Sequence, residues 1–174
     1  MKLLKAGFTL LLAVIVSGMV ACGDKTEQSM TSLEGKTWAE KLGYPTDSRI
    51  IIFHADDAGM CEEANIATIA YLEKNEIQST AAMPPCEWFD EMVEWANAHP
   101  EKDVGLHLTL TSEWQTYRWG PVAPAAEVPG LVDADGYLWH SVMEVVVNGS
   151  AQEVDKEIRA QIDKALALGM KPDH

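Results

Sequence analysis

Ile50–Gly59 reads IIIFHADDAG: three isoleucines and a phenylalanine lead into a histidine, an alanine, two adjacent aspartates, a second alanine and a glycine. An apolar run of this length, β-branched in its first three positions and bounded by polar residues, predicts a strand over Ile50–Phe53 buried on both faces. In α/β folds, chemistry collects where such strands end at their C-terminal side. Asp56 and Asp57 fall at that place. On a regular strand their side chains would point to opposite faces, and the turn signalled by Ala58-Gly59 is what would bring both toward one cleft. Two neighbouring carboxylates after an apolar strand are costly unless a cation or donor compensates them. The plainer reading, a helix N-cap followed by a solvated aspartate, explains one of the pair but not both together with His54.

Downstream, Glu62–Lys74 has helical character, with Ala64, Ala67, Ile69, Ala70 and Leu72 apolar and Glu62 and Glu63 in its first turn. Ile77–Met83 predicts a second strand, stopped by Pro84-Pro85. Trp88–Ala98 predicts a helix, with Phe89, Met92, Val93 and Ala96 at helical spacing, and Val104–Leu110 (VGLHLTL) a third strand. Strand, helix, strand, helix, strand with short connections is the signature of parallel sheet with crossover helices. Right-handed crossovers place the C-terminal ends of all three strands on one edge. Ser112–Pro129 is rich in Trp, Tyr and Pro and has no period, as a binding loop or lid would. Asp135-Gly136 marks a hairpin turn within Leu131–His140. Ser150 with Glu153 forms a capping box for a helix whose stripe is Val154, Ile158, Ile162, Ala165 and Leu166, and Gly169 is a natural stop. Met170–His174 has the look of an approach to a further strand, so the residues are expected to be the N-terminal portion of a larger domain.

Upstream, Lys36–Leu42 predicts a short helix ended by Gly43 and Pro45. Met1–Ala21 has a basic start (Lys2, Lys5), an apolar core from Leu10 to Val16 and small or apolar residues before Cys22. This is the pattern of a secretory signal. A cysteine so placed resembles the lipobox of bacterial lipoproteins, with Cys22 as the lipidation site; an ordinary signal peptide and a transmembrane anchor are the alternatives. The expected organisation is therefore a signal over 1–21, a polar tether over 22–35 and one domain over 36–174. The protein would be exported and attached to the membrane through its N-terminal lipid, facing the periplasm or the cell exterior. Loss of Lys2 and Lys5 takes the net charge from −14 to −16. A surface this acidic argues against nucleic-acid binding. Cys61 and Cys86 lack zinc-site spacing, and whether they pair is not legible from two cysteines alone.

His107, in GLHLTL, lies opposite its flanking leucines and near the end of its strand, as Asp57 lies at the end of its own. It is either a hydrogen-bonded interior group or a metal ligand. One carboxylate oxygen and imidazole nitrogens suit Zn²⁺ or a similar divalent ion, with Mg²⁺ or Co²⁺ as alternatives, and His174 offers a third donor. With Asp57 as ligand, Asp56 remains as the base of a hydrolase. His54 is placed to orient one of the carboxylates from behind. His99 at a helix end and His140 after the hairpin have ordinary structural explanations. Trp114, Tyr117 and Trp119, with Arg118 as a polar partner, would line a carbohydrate cleft, or else close the loop over the domain. There is no Gly-rich phosphate loop, G-x-S-x-G elbow or H-E-x-x-H helix.

At HADDAG, AAMPP, VGLHLTLTSEW and the final KPDH, the chain resembles the YdjC-like carbohydrate deacetylases, described also with the chitooligosaccharide deacetylases. The likeness runs from about Ser48 to His174. It implies an α/β fold of irregular (β/α) barrel type, of which these residues would be the N-terminal part. It also implies a divalent metal and removal of acetyl groups from N-acetylated sugars. By position, Asp56 becomes the general base and Asp57, His107 and His174 the metal ligands. His174 falls on the first histidine of the family's T-H-x-D-x-H stretch, with Asp173 in place of the usual Thr. Position 54 is commonly Asn in the family, so His54 is a departure. The competing expectations are a glycoside hydrolase using Asp56 and Asp57 as its acid/base pair, and an inactive carbohydrate-binding lipoprotein.

Overall fold

The computed structural model describes residues 35–172 and 174. The signal reading of 1–21, the lipidation site Cys22 and nearly all of the 22–35 tether lie outside the described residues. No helix among the described residues is long and apolar enough to cross a membrane. The chain divides into two compact units, Met1–Ile50 and Ile51–His174. The described part of the first holds one short helix, α1 (Trp38–Lys41). Thr37 caps it, and Glu40 bonds back to the Thr37 backbone as a capping box.

The second unit runs β1 (His54–Ala58), α2 (Glu62–Glu73), β2 (Ser79–Ala82), α3 (Phe89–Ala98) and β3 (Asp103–Leu106). Two 3-10 turns follow, at Ala125–Glu127 and Pro129–Leu131, and then α4 (Val142–Asn148) and α5 (Ala151–Ala167). The expected alternation of strand and helix is present, but the first strand is displaced. Ile51–Phe53 is neither paired as strand nor buried; Ile51 is 72% and Phe53 60% exposed. The ladder starts at His54, because β2 begins at Ser79, its partner in register. Beyond that, Phe53 holds only to Gln78, whose backbone N–H donates to Phe53 O at 2.9 Å and whose side chain accepts the Phe53 N–H.

The expected (β/α) barrel is corrected by the sheet itself. It is an open, three-stranded parallel sheet in the order β1-β2-β3, leaving β1 and β3 as its edges. Closing a sheet needs tilt and stagger carried round about eight strands; the three strands here have two edges. Along the β3 edge, Leu106 N–H donates to His174 O at 3.0 Å.

Two apolar clusters fill the unit. One packs Ala58, Ala82 and Val104 of the sheet against Leu72, Phe89, Met92, Val93 and Ala165 of the helices. The other lies beyond the strand ends, where Met60, Met83 and Cys86 meet Trp119, Ala123, Val128, Leu131 and Leu138. The aperiodic stretch after β3 is therefore packed in place. One fully buried polar anchor is Glu157 of α5, which accepts the N–H groups of Val122 and Ala123 at 2.9 Å each. The fully buried stripe of α5 is Glu157, Gln161 and Ala165, whereas Leu166 is exposed. The hairpin near Asp135-Gly136 reduces to one antiparallel bridge, Val132 to Leu138. Helix α4 was not signalled by periodicity, although Ser141 and Glu144 form a capping box at its start.

Candidate functional site

At the end of β1 the register with β2 shifts between Ala55 and Ala58. Within that bulge Asp57 adopts φ +63°, a left-handed conformation that aspartate tolerates better than most residues. Gly59 follows at φ +84°, and a Cβ there would lie 2.9 Å from Phe89 Cα, so the turn packs flush against the start of α3. The bulge and turn do not gather the two carboxylates into one cleft, and they part company. Asp56 Oδ1 sits 3.1 Å from His54 Nε2, and Asp57 Oδ1 sits 3.5 Å from His107 Nε2. Burial pushes the Asp57 carboxyl above the ordinary aspartate range; His107 pulls against it, while Asp56 and Glu113 push it further up.

His107 immediately follows β3, and its N–H continues the ladder to Ala82 O at 2.9 Å. Its Nδ1 is a buried atom without a hydrogen-bond partner, the kind of orphan that marks a ligand position or a missing neighbour. Two donors each about 2.1 Å from one ion at a tetrahedral angle stand about 3.4 Å apart, against the 3.5 Å from Asp57 to His107. The pair therefore fits a divalent ion in chemistry and spacing. It supplies two donors rather than a shell: among the described residues no group of three His, Cys, Asp or Glu side chains is placed to hold a metal ion.

His174 lies on the sheet face rather than beside that pair. Its Nδ1 is 3.4 Å from Asp103 Oδ1, and its ring meets that of His54 edge-on, centroids 5.9 Å apart. Gly105 makes room for it, since a Cβ there would come within 2.5 Å of the imidazole Cδ2 and Nε2. His54 in turn bonds Ser79 Oγ through Nδ1 at 2.6 Å, so one imidazole joins Ser79 to Asp56. Ser79 and Asp103 escaped the sequence reading because only the parallel register puts Ser79 opposite His54 and Asp103 opposite Ser79.

Of the loop aromatics, Trp114 and Tyr117 are exposed at 43% and 45%, whereas Trp119 is buried in the second cluster and donates its indole N–H to Thr111 O. Arg118 is committed inside the fold: Nε donates to Ser112 Oγ, and Nη2 to Asp133 Oδ2 and Leu138 O. Cys61 and Cys86 are free and buried. Burial pushes the Cys86 thiol up to about 12, with Asp57 adding to the rise, so it stays protonated at neutral pH.

Residues 50–174 match the family model described as YdjC-like protein. The chain is 36% identical over 126 residues to a carbohydrate deacetylase of Enterococcus faecalis, covering 71% of this chain and 46% of that protein. It is 33% identical over 135 residues to a carbohydrate deacetylase of Thermus thermophilus, covering 78% and 45%. The chain thus spans about half the length of the curated relatives it matches. Among solved structures it is similar to an Enterococcus faecalis protein provisionally described as a cellobiose-phosphate cleavage protein. The TM-score is 0.63 at 34% identity, over 71% of this chain and 46% of that one. A parallel sheet carrying HADDAG on one strand end and GLHLTL on another, matched over this span, belongs to the YdjC-like family.

Proposed function

We propose that the chain carries the site of a divalent-metal-dependent deacetylase acting on N-acetylated sugars or short glycans. The observation that supports this reading is the Asp57–His107 pair, drawn together at 3.5 Å from two different strand ends, in a chain whose relatives are described as carbohydrate deacetylases. Asp57 and His107 would hold the ion, with Zn²⁺ as the best match to a carboxylate and an imidazole. When bound, such an ion lowers the pKa of water and polarises the acyl carbonyl. Asp56, more exposed than Asp57, is free to take the proton of the attacking water. His54 fixes the orientation of that carboxylate while Ser79 fixes His54. The exposed faces of Trp114 and Tyr117 offer stacking surface for sugar rings. The signal reading of 1–21, with Cys22 as the lipidation site, adds an exported, lipid-anchored location, which labelled palmitate on the native chain and not on Cys22→Ala would bear out.

The test is acetate release from N-acetylglucosamine oligomers with and without a chelator, in the native chain and in Asp57→Ala. Chelator-sensitive acetate, falling at least about 100-fold in the folded variant, is the expected result. Shortened sugars appearing regardless of chelator would replace deacetylation with glycoside hydrolysis.

A further inference from the structure

Two carboxamides are completely buried in the second unit, Asn65 on α2 and Gln161 on α5. Each takes the backbone N–H of the residue two positions after one member of the Asp57–His107 pair. Asn65 Oδ1 accepts from Gly59 N–H at 2.7 Å, and Gln161 Oε1 accepts from Thr109 N–H at 3.1 Å. The other end of each amide is tied as well. Asn65 Nδ2 donates to Trp88 O and to Glu91 Oε1. Gln161 Nε2 donates to Thr109 O at 2.6 Å and to Glu157 Oε1 at 2.8 Å.

A buried N–H requires a partner, but a water would satisfy that alone. A carboxamide bonded at both ends adds a fixed distance between a strand exit and a helix whose own place is set by core packing. Around Asp57 the remaining backbone is held too: Met60 N–H bonds Asp57 O, and Trp88 N–H bonds Gly59 O. Asn65 is thus the side chain that locks the turn holding Asp57 in its left-handed conformation. Gln161 performs the matching task for the segment leaving His107, pairing with Thr109 as a neighbouring strand would.

We propose that Asn65 and Gln161 are positioning residues that together set the separation of Asp57 and His107, and through it the affinity of the pair for a divalent cation. The inference rests on the metal reading of that pair given above.

The experiment measures Co²⁺ binding to the 174-residue chain by visible absorption and by competition with a chromophoric chelator, alongside thermal melting. The variants are Asn65→Leu and Gln161→Met, with Leu72→Ala as a core substitution that takes part in none of the amides' hydrogen bonds. Both amide variants are expected to weaken Co²⁺ about 10- to 100-fold and to alter its absorption band. Leu72→Ala should lower the melting temperature while leaving the band and affinity in place. If a larger replacement fails to fold, Asn65→Ser and Gln161→Ser carry the same comparison. Amide variants that bind Co²⁺ as the native chain does overturn the inference while the metal reading stands. A native chain that binds no Co²⁺, indistinguishable from Asp57→Ala, overturns both.

Discussion

Gly59 shows how narrowly the site is built around individual residues. Its φ of +84° and the 2.9 Å approach of Phe89 Cα leave neither the conformation nor the space for a side chain. Gly59→Ala should cost about 1–3 kcal/mol in chemical denaturation, and should loosen the turn that carries Asp57. Asp133 gives a second residue-level test. Burial pushes its carboxyl up, but the Arg118 guanidinium and the N–H groups of Tyr137 and Asp135 outweigh it and hold it below the usual aspartate range. A carboxyl lowered on folding contributes stability in full above its unfolded pKa, and loses it as pH falls through the lower folded value. Asp133→Asn is therefore expected to cost about 1 kcal/mol at pH 7. The difference from the native chain should shrink as pH falls below the ordinary aspartate range and vanish once the native carboxyl is protonated, below its lowered folded pKa. Melting curves across that range check it.

Among the elements, α5 does the most with the least apolar surface. Its buried stripe is Glu157, Gln161 and Ala165, and the two polar members answer the backbone of the stretch after β3. A polar residue inside a helix's core face is stable only when its partners are complete. Removing Glu157 leaves the N–H groups of Val122 and Ala123 unanswered, each at about 1–3 kcal/mol. Glu157→Ala should accordingly shift the urea midpoint by more than an ordinary surface substitution, whereas Leu166→Ala, at an exposed position, should shift it little. The denaturation curves of the two variants decide whether the helix docks by its polar stripe or by the apolar one that periodicity suggests.

At the scale of the whole second unit, the open sheet determines which apolar residues are covered. Ile51, Ile52 and Phe53 lie ahead of the ladder and face solvent. The double substitution Ile51→Thr with Ile52→Thr is expected to change stability by no more than about 0.5 kcal/mol. A strand buried on both faces would lose several kcal/mol by the same change. Denaturant titration of this variant separates the two placements of β1.

The amino-acid sequence by itself determined the alternation of strands and helices, the capping box at Ser150, and the candidates Asp56, Asp57 and His107 at strand ends. Each of these is written in neighbouring residues: apolar period, side-chain oxygens at fixed offsets, polar groups after an apolar run. Tertiary structure decided the rest. The ladder began at His54 because its partner strand begins at Ser79, and the sheet stayed open because strand pairing alone sets its edges. The bulge did not gather the two carboxylates into one cleft: Asp56 met His54 and Asp57 met His107, and only the parallel packing of β3 beside β2 brought His107 there. The buried roles of Asn65, Glu157 and Gln161 were invisible beforehand for the same reason: a polar side chain is read as solvated until the backbone groups it answers are brought to it from elsewhere in the chain.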